Sequence, residues 1–326
     1  MFSDKQWLQS SSPISPAATD ETVVFISSAP DQEAIVTKRK RIVFVRHAES
    51  EWNAIFNRGF NLRALMNFLR AVVREWLLLP TGDSVFLDSP LSRRGRFQAQ
   101  SLYELMCEIP LEEGGNRDAT TTLAMTTLPL DSHRRSPHQT KESAVLSYLC
   151  CPLPDSIVVT SNLRRSIDTA RIASASRLKV PGEKIHVLSC LQEIGRNLDT
   201  LAISQPHAIQ PLEVLVQAPH GEKRHDELFN VTESHGNKAV LGSGRDRLLT
   251  FAQWVFKQPK EVVVVFGHSL WFRAFCREYF PQDVFHDAKT AKMSNCGVIT
   301  FLLEEHTRGG GEVAYNIRPE TFQHVV

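Results

Sequence analysis

The chain has 326 residues, 42% hydrophobic and 22% charged, a globular balance that excludes wholesale disorder. Its 37 Lys and Arg face 36 Asp and Glu, so the net charge of +1 supplies no global field to gather nucleic acid, and no nucleic-acid partner is expected. Six cysteines without a CxxC pair exclude a zinc ribbon or a thioredoxin-like motif. With no basic-then-apolar leader and no apolar run near the ~20 residues of a membrane span, no transmembrane segment and a cytoplasmic location are expected.

Residues 1–40 are rich in Ser, Pro, Ala and Thr and read as an irregular leader, with Val23–Ile26 a candidate edge strand. The basic run Lys38-Arg39-Lys40-Arg41 reads as the solvated flank of the first strand, Ile42–Val45. Over 56–80, Leu62, Leu65, Met66, Leu69, Val72, Val73, Trp76 and Leu77 recur at helical spacing, with Arg63, Arg70 and Arg74 off that stripe. This amphipathic helix is expected to pack over the core rather than to lie on a membrane. A helix over Arg93–Leu105 follows, then a Thr-, Pro- and Gly-rich stretch, 108–155, that reads as a long variable loop. Strands at Ile157–Thr160, Ile185–Leu188, Val262–Phe266 and Val298–Leu303 alternate with helices at Leu163–Ala173 and Arg245–Val255. The polar stretch 203–244 is expected to cap a site, and Trp271, Phe272 and Phe275 to be helix core.

The strand runs are β-branched and nearly continuous, as in strands buried on both faces. The expected fold is therefore α/β: a three-layer sandwich around a mostly parallel sheet. It spans 41–326 as one domain, with insertions at about 56–87, 108–155 and 203–244 that form a cap.

Polar residues follow the strands: Arg46-His47 after the first, Ser161 to Ala170 after the second, Leu191-Gln192-Glu193 after the third and Gly267-His268-Ser269 after the fourth. Ligands of open α/β sheets bind outside the carboxyl ends of the strands, so these residues are expected to converge on one edge. Arginine forks suit phosphate oxygens, a neutral imidazole is a nucleophile near pH 7, and a glutamate can move a proton. The set fits phosphoryl transfer, with other anion chemistry an open alternative. His220 and His225 in HGEKRH lack the partners of a metal site.

The ordered motifs carry a resemblance. Arg46-His47-Ala48-Glu49-Ser50-Glu51-Trp52-Asn53 resembles the RHG-type signature of the histidine phosphatase superfamily, the phosphoglycerate mutase-like proteins. Asp88 to Ala99, Ser161 to Ala170, Leu191-Gln192-Glu193, Gly267-His268 with Arg273, and Asn295 resemble its later motifs, in family order. Ala48 and Ser269 stand where glycines are most common, and the family's pattern after the glutamate is missing from 194–199.

The resemblance implies a metal-independent phosphatase working through a phosphohistidine on His47, without a cofactor, on a small phosphorylated substrate or a phosphoprotein. It implies a pocket of Arg46, Arg165 and His268, with Arg165 rather than Arg164 as the family arginine, and Glu193 as proton donor and then base. Asn53, Ser50 and Ser269 are expected to add phosphate contacts. Ser92 and Gly95 are expected to cap the next helix and let it pack closely. The alternatives are a phosphoglycerate-type phosphomutase and a catalytically silent phosphate-binding module.

Overall fold

The structure is a computed structural model that describes residues 36–56, 62–107, 137–210, 225–239 and 242–326. The candidate strand Val23–Ile26, the loop over 108–136 and His220 lie outside these residues.

Among the described residues, eight strands form one sheet: β1 (Val36–Arg46), β2 (Ser156–Ser161), β3 (Ile185–Leu188), β4 (Phe229–Asn230), β5 (Val262–Gly267), β6 (Val298–Thr307), β7 (Val313–Ile317) and β8 (Gln323–His324). The order is β4-β3-β2-β5-β1-β6-β7, with β8 also on β6. The first five strands in that order run parallel, and β6 runs antiparallel to β1, β7 and β8. The sheet is thus mostly parallel, as expected. The basic run lies inside β1, not before it: Lys38 and Arg39 pair across to Glu305 and Glu304, and Lys40 with Glu261. Strand β1 therefore takes in Val36 to Lys40, within the stretch read as leader.

Successive residues of the central strands feed opposite faces. Val43, Val45, Val264 and Phe266 join one buried cluster, and Ile42, Phe44, Val263 and Val265 the other. This is why the strands read as continuous apolar runs. The first cluster takes in α3 (Arg93–Cys107), α4 (Pro137–Cys150) and α5 (Arg164–Ala173) through Leu102, Met106, Leu149, Ile167 and Ala170. The second takes in α7 (Gly244–Lys257) and α8 (Ser269–Tyr279) through Phe251, Val255, Trp271, Phe272 and Phe275. Three layers result, each fully buried large side chain contributing about 1.5–3 kcal/mol. The aromatic set of α8 is core, as expected, and Trp271 Nε1 donates to the Cys190 carbonyl at 2.9 Å.

The insertions depart from the sequence reading. Helix α4 occupies the end of the stretch read as loop. The stretch read as a cap supplies the short helix α6 (His225–Leu228) and strand β4, which extends the sheet. The stripe over 56–80 forms α2 (Leu62–Leu78), after the short α1 (Glu51–Phe56), but most of that stripe faces solvent rather than the core. The side docked on the protein is built from the small Ala71 and the polar Glu75, which the stripe pattern does not mark.

The segment Asp88 to Ala99 is a clamp on the loop after β1. The Ser92 Oγ accepts from the Gly95 N–H at 3.0 Å, capping α3, and donates to Glu49 Oε2 at 2.8 Å. Ser92 N–H donates to the Glu49 carbonyl at 2.9 Å, and Gln98 Oε1 accepts from the Glu49 N–H at 2.9 Å. A Cβ on Gly95 would lie 2.0 Å from the Glu49 carbonyl oxygen. Gly95→Ala is therefore expected to destabilise the protein by about 3 kcal/mol by forcing α3 off this loop. Urea unfolding of the variant measures this, and wild-type stability would refute the clamp.

Candidate active site

The register of β1 against β5 sets Arg46 opposite Gly267, so the residues that follow, His47 and His268, emerge side by side. Their ring centroids are 5.0 Å apart, and both side chains are buried. On the other side of β5, Thr160 lies opposite Phe266, which brings Ser161 beside His268. The Ser161 Oγ and His268 Nε2 are 2.9 Å apart.

The main chain around His47 is held from four elements. His47 N–H donates to the Gly267 carbonyl at 2.9 Å, and Asn295 Nδ2 to the His47 carbonyl at 2.9 Å. Ala48 N–H donates to Thr169 Oγ1 on α5 at 3.0 Å, and the Gln98 bond to Glu49 comes from α3. The imidazole is oriented as well. His47 Nδ1 is 2.6 Å from the Ala48 carbonyl, a pure acceptor, so Nδ1 carries the proton and Nε2 keeps its lone pair. Arg165 Nε donates toward that Nε2 at 3.3 Å.

Burial pushes the His47 pKa well below the ordinary 6.5, and the charges of Arg165 and Arg46 push it further the same way. His268 is lowered well below 6.5 by burial first and then by Arg165. Arg46 is brought down to about 10, mainly by burial, and so stays charged at neutral pH.

The two arginines that open α5 diverge. Arg164 turns away, bonding Asp83 at 2.5 Å and the carbonyl of Ser84 at 2.6 Å. Asp88, at φ 48°, takes the Arg164 N–H at 2.9 Å and so caps α5. Arg165 turns to His47 and is braced by the Asp199 carbonyl at 2.5 Å and its carboxylate at 3.6 Å. Arg273 points elsewhere, bonding the Thr290 carbonyl at 3.4 Å.

Glu193 is pinned at the N-terminus of α8. Its Oε1 accepts from the N–H groups of Trp271 and Ile194, both at 2.8 Å, and its Oε2 from Leu270 at 3.3 Å. Burial raises its pKa above the ordinary carboxylate value, against the pull of Arg165 and these donors. Oε2 is the more lightly held oxygen. Lys238 reinforces the turn, donating to the carbonyls of Glu193 at 2.6 Å and Gly195 at 2.8 Å. Its own pKa falls to about 8, chiefly through burial.

Ser50 and Asn53 form a capping pair on α1: Asn53 N–H donates to Ser50 Oγ at 3.2 Å, and Ser50 N–H to Asn53 Oδ1 at 3.5 Å. Ser269 is the first residue of α8, its Oγ buried and without a partner. Arg46 Nε and His268 Nδ1 are likewise buried without partners. These three buried polar atoms, on residues at or just beyond the ends of β1 and β5, have hydrogen-bonding capacity that an oxyanion can satisfy. Among the described residues, no group of three or more His, Cys, Asp or Glu gathers to hold a metal.

Sequence reasoning missed Asp199, Lys238 and Ser161 as members of this cluster. Ser161 and Thr169 stood within a quoted motif. Asp199 and Lys238 carry no local signal and reach the site only through the turn after Glu193.

No family model matches the chain, and no curated protein matches it. Solved structures do. One titled mycobacterial hydrolase 1 matches at 15% identity over 86% of this chain and 97% of its own, with a TM-score of 0.39. A mycobacterial glucosyl-3-phosphoglycerate phosphatase in complex with VO3 matches at 16% identity over 86% and 97%, with a TM-score of 0.39. The product of an open reading frame of Mycobacterium tuberculosis matches at 14% identity over 88% and 96%, with a TM-score of 0.36.

The charge geometry has a direct readout. Removing a cation that opposes protonation raises the imidazole pKa, so Arg165→Met is expected to move the His47 pKa upward toward 6.5. NMR titration of ring-labelled histidine follows it. An unmoved or lowered value would show that Arg165 does not set the His47 charge.

Proposed function

We propose that this protein is a phosphomonoester hydrolase that uses His47 as its nucleophile. The observation that carries the reading is the pairing of a fixed, unprotonated His47 Nε2 with the buried cations Arg165 and Arg46. Binding a phosphate alone asks for the cations. It does not ask for an imidazole held neutral between them, nor for a buried carboxyl of raised pKa nearby.

In this reading the phosphoryl oxygens take the unpartnered Arg46 Nε, His268 Nδ1 and Ser269 Oγ. His47 Nε2 attacks phosphorus in line, a P–N bond forms and the ester P–O bond breaks. Protonated Glu193 gives its proton to the leaving alkoxide, from Oε2, which holds only one long hydrogen bond. Glu193, now ionised, takes a proton from water as the water oxygen attacks the phosphohistidine. Inorganic phosphate leaves and His47 returns to its neutral form. Arg46, Arg165 and the N-terminus of α8 stabilise the charge on the transferring group, so no metal is assigned a role. The residue-by-residue resemblance of the strand-end motifs supports the same assignment.

Hydrolysis of p-nitrophenyl phosphate in EDTA tests it. His47→Ala is expected to lower kcat by about 10³-fold or more, because the covalent route is gone. Equal rates for the two proteins would overturn the nucleophile assignment, and phosphate release without alcohol exchange separates hydrolysis from a mutase.

The pH profile gives a second test. The rate rises as His47 loses its proton, at a pH below 6.5, and falls as Glu193 loses its own, at a pH above 4.5. Glu193→Gln is expected to abolish the alkaline limb while leaving the acid limb. An alkaline limb retained in that variant would assign the proton donor elsewhere.

A further inference from the structure

Helix α2 meets the protein through a narrow side. Ala71 is buried with Ile55 and Val85, and Glu75 accepts from Ser84 Oγ and the Val85 N–H, both at 2.6 Å. Arg74 pairs with Glu51 at 3.7 Å. The opposite side carries Leu62, Leu65, Met66, Leu69, Val73, Trp76 and Leu77, all exposed, with Trp76 at 72% and Leu77 at 73%. These positions recur at three and four residues, so they form one continuous stripe along a helix of about 25 Å. Single exposed apolar side chains need no explanation, whereas a contiguous stripe of this length marks a contact surface.

The charges bordering the stripe identify the contact. Arg70 and Arg74 fall along one edge of it by helical spacing, Arg70 exposed and Arg74 paired with Glu51 of α1. The helix has a single carboxylate, Glu75, and that group is turned inward and hydrogen-bonded. The exposed stripe is therefore bordered by the cation Arg70, with no exposed carboxylate on the helix. A second copy fits this pattern poorly, because antiparallel pairing about the middle of α2 would bring the two Arg70 side chains together. One Trp, four Leu, a Met and a Val on the exposed face of an amphipathic helix, with Arg70 at its border, match an interface of acyl chains and anionic headgroups.

We propose that α2 is an interfacial helix that seats this protein on an anionic lipid surface, its apolar stripe at the acyl boundary and Arg70 among headgroup phosphates. The helix lies on the surface and does not cross it. Among the described residues, no helix is long and apolar enough to span a membrane. The seat is linked to the candidate active site. Glu75 holds the 84–86 turn, and Arg164, beside Arg165, bonds the same turn through Asp83 and the Ser84 carbonyl. The inference is independent of the chemistry assigned to His47.

Flotation of the full chain with lipid vesicles tests it. Binding is expected to vesicles containing about one-third phosphatidylserine, to weaken as salt shortens the screening length, and to be small on pure phosphatidylcholine. The double variant Leu69→Glu, Trp76→Glu is expected to bind at least about tenfold less while keeping the wild-type melting temperature, since both residues are exposed. Absence of the wild type from the anionic vesicle fraction would overturn the proposal. So would equal flotation of variant and wild type. Sedimentation that shows a dimer dissolved by the same substitutions, with no flotation, would give the stripe to a second copy and overturn it as well.

Discussion

The pairing of β1 with β5 is the constraint on which the rest of the site depends. Because the two strands are parallel and in register at Arg46 and Gly267, both chains leave the sheet at the same height. Two histidines separated by more than 200 residues in the sequence then stand with ring centroids 5.0 Å apart. Neither strand has freedom to slip, because each is buried on both faces and a one-residue shift would exchange the residues of its two cores. The rigidity of an apolar sheet thus becomes the positional accuracy of two polar side chains just beyond its end.

What the sheet positions, its surroundings charge. Arg46, Arg165, His47 and His268 are all buried around one point, and burial opposes every positive charge there. The histidines yield by remaining neutral, while the arginines, with their far higher intrinsic pKa, stay protonated. Asp199 balances Arg165, and the Glu193 carboxyl is anchored by the α8 N-terminus instead of by a full ion pair. The result is a region with an excess of donors, several of them without a partner, next to an imidazole whose Nε2 lone pair accepts only a long bond from Arg165. An anion entering this region would complete its hydrogen bonds.

Five of the eight strands and the principal helices were legible in the sequence because burial on two faces leaves a continuous apolar run and burial on one face leaves a helical stripe, whereas the edge strands β4, β7 and β8 were not read. The insertions were less legible. The apolar stripe of α2 follows the same spacing as a core helix, yet the tertiary structure docks the helix by Ala71, Glu75 and Arg74 instead. Periodicity reports that a face is apolar; it does not report what covers it. Strand β4, two residues long within a polar stretch, has no run to detect and exists because β3 offers it an edge.

The sequence by itself determined the α/β class, the strands that carry the site and the chemical types gathered at their ends, because these follow from local periodicity and from residues contiguous with it. The motif that reads Asp88 to Ala99 also announced a close approach at Gly95, which the structure assigns to the Glu49 carbonyl. Tertiary structure alone decided the partners that Arg164 takes on the 83–87 turn, the bracing by Asp199 and Lys238, and the exposure of α2. Each of these depends on contacts between segments far apart in the chain, and no local pattern encodes the distance between them.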